Sequence, residues 1–150
     1  MKIYSALKGV SQIYLDTAPV IYYVQGVTPF FPVVDALFQE IERGKLRAIS
    51  SPVTLAECMV LPLRLGDSAL QQNFLDLLAN TQGITLANID VAVGRLAADI
   101  EARYRLKLPD ALQIATALVA GCEAFLTNRQ ECKIPISIPP TPLKKGGFLE

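Results

Sequence analysis

Short β-prone runs alternate along this chain with amphipathic helical segments, and that alternation leaves few folds open. The runs are residues 12–16 (QIYLD), 46–50 (LRAIS), 84–87, 124–127 and 136–138. Between them, residues 18–24 predict a brief helix, with Pro19 tolerated in its first turn. Over residues 33–43, apolar Val33, Val34, Leu37, Phe38 and Ile41 recur at helical spacing, and Gly44 supplies a stop. Ser51-Pro52 predicts an N-cap followed by proline at the first helical position, opening a helix that Pro62 kinks or ends. Residues 68–79, 90–106 and 110–120 give three more helices, the last apolar nearly all round and hence buried. Strands alternating with helices in this way predict an α/β fold, a parallel sheet covered by helices on both faces. In such sheets ligands sit beyond the carboxyl ends of the strands. Asp16 ends the first run there, and Thr127-Asn128 end the fourth.

A length of 150 residues fits one domain, with its core over residues 12–138 and a loose tail from 139. With 51% hydrophobic residues and a net charge of zero, the chain lacks the signature of disorder. Histidine is absent altogether, which excludes a Ser-His-Asp triad, a Cys-His nucleophile pair and any histidine-ligated zinc site. Chemistry here must run on carboxylates, lysine, tyrosine, hydroxyls, cysteine or a bound ion. Fourteen basic and fourteen acidic residues cancel, so no global field draws the chain to nucleic acid or a membrane. Cys58, Cys122 and Cys132 are odd in number and form no CxxC, which predicts buried thiols and a reducing cytoplasm. The first sixteen residues lack a signal-peptide core and no apolar stretch spans a bilayer, so a cytoplasmic location without membrane contact is expected.

Three acids stand where a fold of this kind would use them, and each has an ordinary explanation beside the chemical one. Asp16 follows Ile13-Tyr14-Leu15 directly and could cap the next helix. Glu57 lies three residues after Thr54, the spacing of a capping box, but Ser51-Pro52 already mark that helix start and leave Glu57 well inside it. Asp110 follows Pro109 at the head of the most apolar helix and is a good N-cap in its own right. Arg103, Arg105 and Lys107 could form a basic edge or an ordinary solvated helix end, and Asp99 and Glu101 read as surface charges. Tyr14, Tyr22, Tyr23, Phe30 and Phe31 read as core or dimer contacts.

Taken together these segments form a pattern. Leu15-Asp16-Thr17, Thr54-Leu55-Ala56-Glu57, Pro109-Asp110-Ala111-Leu112-Gln113-Ile114-Ala115-Thr116-Ala117 and Phe125-Leu126-Thr127-Asn128 resemble the PIN-domain nucleases, in particular the VapC-like toxins of type II toxin–antitoxin pairs. The resemblance spans residues 12–138, and the segment from Asp110 to Ala117 is its most specific part. It implies a three-layer α/β/α sandwich with a five-stranded parallel sheet. It also implies a Mg²⁺- or Mn²⁺-dependent endoribonuclease with Asp16, Glu57 and Asp110 as catalytic, metal-binding acids. Thr17, Thr127, Asn128 and Arg129 would then contact substrate. Expected partners are RNA, a small antitoxin and a second copy of the chain.

The physical logic agrees with the residues present. Phosphodiester hydrolysis needs an activated water and cover for charge developing on phosphate. Mg²⁺ keeps several waters, so two or three carboxylates suffice to hold it. One departure matters: the family carries a fourth acid two residues beyond the threonine, and Arg129 stands there. That substitution keeps a second reading open, a weak or inactive PIN module that binds RNA or a protein.

Overall fold

Alternate residues of a strand face opposite sides of the sheet, and β1 (Gln12–Leu15) uses both. Ile13 and Leu15 point to one face and Tyr14 to the other, and all three are fully buried. A strand without a solvated side must be covered on both faces, and it is. The computed structural model describes residues 7–127 and 134–135.

Two helices, α1 (Thr17–Gln25) and α2 (Phe31–Glu42), lead from β1 to β2 (Arg47–Ser50). Helices α3 (Pro52–Leu65) and α4 (Ser68–Asn80) lead on to β3 (Ile84–Leu86). Helices α5 (Val91–Tyr104) and α6 (Leu108–Val119) precede β4 (Ala124–Leu126), and β5 (Ile134–Pro135) completes the sheet. The strand order is β3-β2-β1-β4-β5. β1 pairs in parallel with β2 and with β4, and β2 in parallel with β3. The layered α/β fold expected from the alternation is therefore present.

Two expectations need correction. A fully parallel five-stranded sheet was expected, but β5 pairs antiparallel with β4, Ala124 opposite Pro135 and Phe125 opposite Ile134. Only seven residues separate Leu126 from Ile134, and a parallel pair requires a crossover of a dozen or more. The expected strand at 136–138 lies outside the described residues. Pro62 was expected to kink or end its helix; the helix does not end there, since α3 runs on to Leu65 and stops at Gly66, whose left-handed conformation (φ 64°) closes the cap. Pro62 is buried, and its carbonyl accepts the Asp67 amide at 2.9 Å, so the lost helical bond is offset by the turn that follows.

The core divides with the sheet faces. On one face Ile13, Leu15, Ala48, Ala124 and Leu126 pack against Val20, Leu37, Phe38, Cys58 and Phe74 of the first four helices. On the other, Tyr14 and Phe125 stack with ring centroids 5.0 Å apart and meet Ala117 of α6. Helices α5 and α6 form their own seam through Val93, Ala97, Ile100, Ala111 and Ala115. Each fully buried Leu, Ile or Phe contributes roughly 1.5–3 kcal/mol. Tyr14 is thus a core residue, and Tyr23 is likewise stacked on Phe38, with centroids 4.0 Å apart. Cys58 and Cys122 are buried thiols, as expected, and Cys132 lies outside the described residues.

One glycine is required by its surroundings. Gly83 enters β3 with φ +90°, and a Cβ there would come within 2.9 Å of Ile41 Cγ2 and 3.1 Å of Ile41 O. Gly83→Ala is expected to cost about 1–3 kcal/mol through backbone strain and that clash, read as a lowered melting temperature. A melting temperature unchanged from the parent would show that the turn has slack.

Candidate active site

β1 delivers Asp16 to the carboxyl edge of the sheet, where its backbone N–H donates to Leu126 O at 3.0 Å. The edge lies between β1 and β4, where the chain's strand order changes direction, the position at which open α/β sheets form a crevice. Asp16 also caps α1, its Oδ1 accepting the Thr17 amide at 2.7 Å. The capping explanation therefore holds for one of its oxygens.

It fails for the other two acids. Ser51 has the extended backbone of an N-cap, but its hydroxyl makes no cap bond and instead accepts from Tyr14 Oη at 2.8 Å. Thr54 is no capping-box partner either, because its Oγ1 donates to Gln113 Oε1 at 3.0 Å. Glu57 is the sixth residue of α3 and projects from the helix interior. Asp110 was expected at the start of its helix, but α6 begins at Leu108 with Lys107 in the cap position, which places Asp110 in the first turn. A carboxylate there faces the partial positive charge of the helix terminus.

Asp16, Glu57 and Asp110 line one cleft of about 280 Å³, together with Thr17 and Thr127. Leu106, Ile114 and Phe125 supply its apolar wall. Asp16 and Asp110 are half-buried and Glu57 is exposed at the rim, yet the Glu57 carboxyl is pushed up from its usual value. Partial desolvation is the first cause, followed by repulsion from Asp16 and then Asp110. The Gln113 amide opposes that rise, its Nε2 donating to Glu57 Oε1 at 2.9 Å. Behind the cleft, burial pushes the Cys58 thiol up to about 12, and the charges of Glu57 and Asp16 add to the effect. A thiol so held is not a nucleophile.

Three carboxylates around one opening, two of them repelling Glu57, favour a bound cation, and hard oxygen donors select a hard one. The Thr17 hydroxyl points the same way: it is buried with no hydrogen-bond partner at normal distance, although it lies near enough to Glu57 to favour the charged carboxylate. The donors do not form a closed cage, since among the described residues no three His, Cys, Asp or Glu side chains are gathered tightly enough to hold a metal between them. That arrangement fits an ion that retains much of its water, as Mg²⁺ does.

Of the residues singled out from sequence, Asp16, Thr17, Glu57, Asp110 and Thr127 are brought to this cleft, while Asn128 and Arg129 lie outside the described residues. The proposed basic edge is split. Arg103 pairs with Asp99 at 2.8 Å, whereas Arg105 and Lys107 are exposed on either side of Leu106, which reaches the cleft wall. Gln113 was overlooked as a site residue. Its signal was legible: it lies three residues after Asp110, on the same helix face.

The sequence model of one family, the PIN domain, matches residues 13–131. A search of curated protein sequences finds no match. Among solved structures, the chain is similar to VapC20 of Mycobacterium tuberculosis, described as a toxin that cleaves the sarcin–ricin loop. The TM-score is 0.65 at 13% identity, covering 79% of this chain and 91% of that one. It is also similar to a toxin–antitoxin complex from Klebsiella pneumoniae, with TM-score 0.62 at 23% identity over 85% and 92% of the two chains. A third likeness is to VapBC2 of Rickettsia felis, bound to a DNA fragment from its promoter, with TM-score 0.56 at 15% identity over 79% and 88%. At these identities the likeness is one of fold.

Proposed function

This chain belongs to the PIN domain family, and from that premise we propose that it is a divalent-metal-dependent endoribonuclease, the toxin of a toxin–antitoxin pair. The observation that carries the reading is the convergence of Asp16, Glu57 and Asp110 on one cleft at the β1/β4 edge. Capping accounts for one oxygen of Asp16 and for neither of the other acids.

Asp16, Glu57 and Asp110 are the residues that would hold the ion. When bound, Mg²⁺ or Mn²⁺ supplies an activated water and offsets charge on the phosphate. Thr127 presents its hydroxyl to phosphate oxygens from the end of β4, and the buried Thr17 hydroxyl lies beside Glu57. The apolar wall of Leu106, Ile114 and Phe125 excludes bulk water from one side and strengthens each charge interaction within. No residue of this chain can serve as a histidine acid or base.

The toxin assignment is supported by fold likeness to structures whose descriptions name toxins and antitoxins. A protein partner is supported by exposed Val60, Leu61, Leu63 and Leu65 at the end of α3, an apolar run that solvent does not favour. The partners of this reading are RNA, a small antitoxin and a second copy of the chain. No described helix is long and apolar enough to cross a membrane.

The test is incubation of the purified chain with a mixed RNA pool, with and without Mn²⁺. Metal-dependent internal cleavage supports the reading, and RNA binding without cleavage at any metal concentration replaces it with that of a binding module. Arg129, at the sequence position of the family's fourth acid, favours that second reading and gives it a specific test. Arg129→Asp is expected to bind Mn²⁺ several-fold more tightly and cleave faster, because a carboxylate replaces a cation. If the arginine clamps phosphate instead, the variant binds RNA less tightly and cleaves more slowly.

A further inference from the structure

A run of buried polar side chains crosses the core and ends at the cleft. Tyr14, Ser51, Thr54 and Gln113 are all at most 1% exposed, an unusual density of hydroxyls and amide between apolar layers. They belong to β1, the start of α3 and the middle of α6, so the run ties three elements together. Its direction is set at the far end. An ionised Glu57 can only accept, so Gln113 must turn its Nε2 toward Glu57 Oε1, 2.9 Å away. The amide oxygen then requires a donor, which is the Thr54 hydroxyl at 3.0 Å. With its one hydrogen committed, Thr54 has none for Tyr14, whose own hydrogen goes to Ser51 Oγ at 2.8 Å while its Oη lies 3.5 Å from Thr54 Oγ1.

Such a run is not needed for stability, because replacing paired buried polar groups by apolar groups of the same shape is close to neutral. What it supplies is orientation: Oε1 of the Glu57 carboxylate is held from the core side. We propose that Gln113 and Thr54 are positioning residues which, by fixing Glu57 Oε1, present Oε2 to the divalent cation of the cleft. This rests on the metal-dependent reading above. Without the Thr54 hydroxyl, the Gln113 amide has no reason to keep its oxygen turned away from Glu57. A carbonyl facing a carboxylate would push Glu57 out of position.

The experiment is calorimetric titration of the full chain with Mn²⁺, alongside thermal melting, for the parent, Thr54→Val, Thr54→Ser and Gln113→Leu. Thr54→Val keeps the side-chain shape and is expected to bind Mn²⁺ about tenfold more weakly, the usual cost of losing a ligand's supporting hydrogen bond, while melting somewhat below the parent because the buried Gln113 oxygen loses its donor. Thr54→Ser restores the hydroxyl and is expected to bind within about twofold of the parent, a recovery that a packing role would not produce. Gln113→Leu removes the donor itself and carries the same expectation should Thr54→Val not fold. Parent-like Mn²⁺ affinity in Thr54→Val or Gln113→Leu overturns the positioning role and leaves the metal site standing. A parent chain that binds no Mn²⁺ removes the metal site, and the proposal with it.

Discussion

Asp16→Asn, Glu57→Gln and Asp110→Asn are each expected to slow RNA cleavage by about a hundred- to a thousandfold while the fold persists. Loss of one ionic ligand removes several kcal/mol of transition-state charge stabilisation, and each 1.36 kcal/mol is about tenfold in rate. Each replacement keeps an oxygen in place. Asp16→Asn retains an acceptor for the Thr17 amide, which Asp16 accepts at 2.7 Å, so the start of α1 survives. Glu57→Gln retains an oxygen that can accept from Gln113. The stability effect has the opposite sign to the activity effect. Glu57 is held above its usual carboxylate value by desolvation and by its acidic neighbours, so in metal-free buffer its ionised form favours the unfolded chain. Its contribution is therefore most favourable below the ordinary carboxylate range and is lost as pH rises through its elevated folded value. Glu57→Gln removes that loss, and its melting temperature at neutral pH is expected to equal or exceed the parent's.

Glu123 runs the other way and provides an internal control. At the opposite end of β1 it accepts the Ser11 hydroxyl at 2.5 Å and the Ser11 and Gln12 amides at 3.0 and 3.2 Å, which hold its carboxyl below the usual range. Its contribution is present above the ordinary carboxylate value and disappears on acidification through its lowered folded value. Denaturation measured across acidic to neutral pH should thus show both variants converging on the parent at acidic pH and departing from it on the neutral side in opposite directions, Glu57→Gln more stable and Glu123→Gln less stable. Lower stability in all three cleft variants at neutral pH would mean that the acids serve as caps and that no repulsive cluster exists.

The sheet was legible in the sequence because its cause is local. A run such as QIYL has the β-prone side chains and the abrupt acidic end of a buried parallel strand, and the helices between runs carry their period openly. β5 was not legible, because two residues, one of them proline, carry no period. The carboxylates were placed because strand ends and helix interiors follow from element boundaries, and a two-residue error in a boundary still leaves Glu57 inside α3. Their supports were missed for a physical reason. Thr54 and Ser51 were read against their sequence neighbours, where both look like cap residues, whereas their partners lie 59 and 37 positions away, on Gln113 and Tyr14. Side-chain hydrogen bonds across a core leave no periodic trace in sequence.

The second large effect concerns the ion itself. Saturating Mn²⁺ is expected to raise the melting temperature of the parent chain by roughly 5–10 °C, and removal of divalent ions by EDTA is expected to abolish cleavage. Binding to the folded state alone stabilises by about 2.7 kcal/mol at a hundredfold excess over Kd, and each kcal/mol shifts a domain of this size by about 2–4 °C. The unfolded chain cannot compete for the ion, since the three carboxylates lie 41 and 53 positions apart and meet only when β1, α3 and α6 are assembled. Part of the gain comes from within the protein, because a cation cancels the repulsion that lifts Glu57. Asp16→Asn should then lose most of the Mn²⁺-induced shift while starting from an equal or higher metal-free melting temperature, a pairing that a merely destabilised variant cannot show. Zn²⁺ is not expected to substitute at equal concentration, because its tetrahedral sites rely on imidazole and thiolate. This chain has no histidine, and burial holds the Cys58 thiol near the cleft protonated, its value pushed up to about 12. Cleavage that persists in EDTA, or a Mn²⁺ shift of the same size in Asp16→Asn, would place the chemistry on the protein's own carboxylates and overturn the metal-dependent reading.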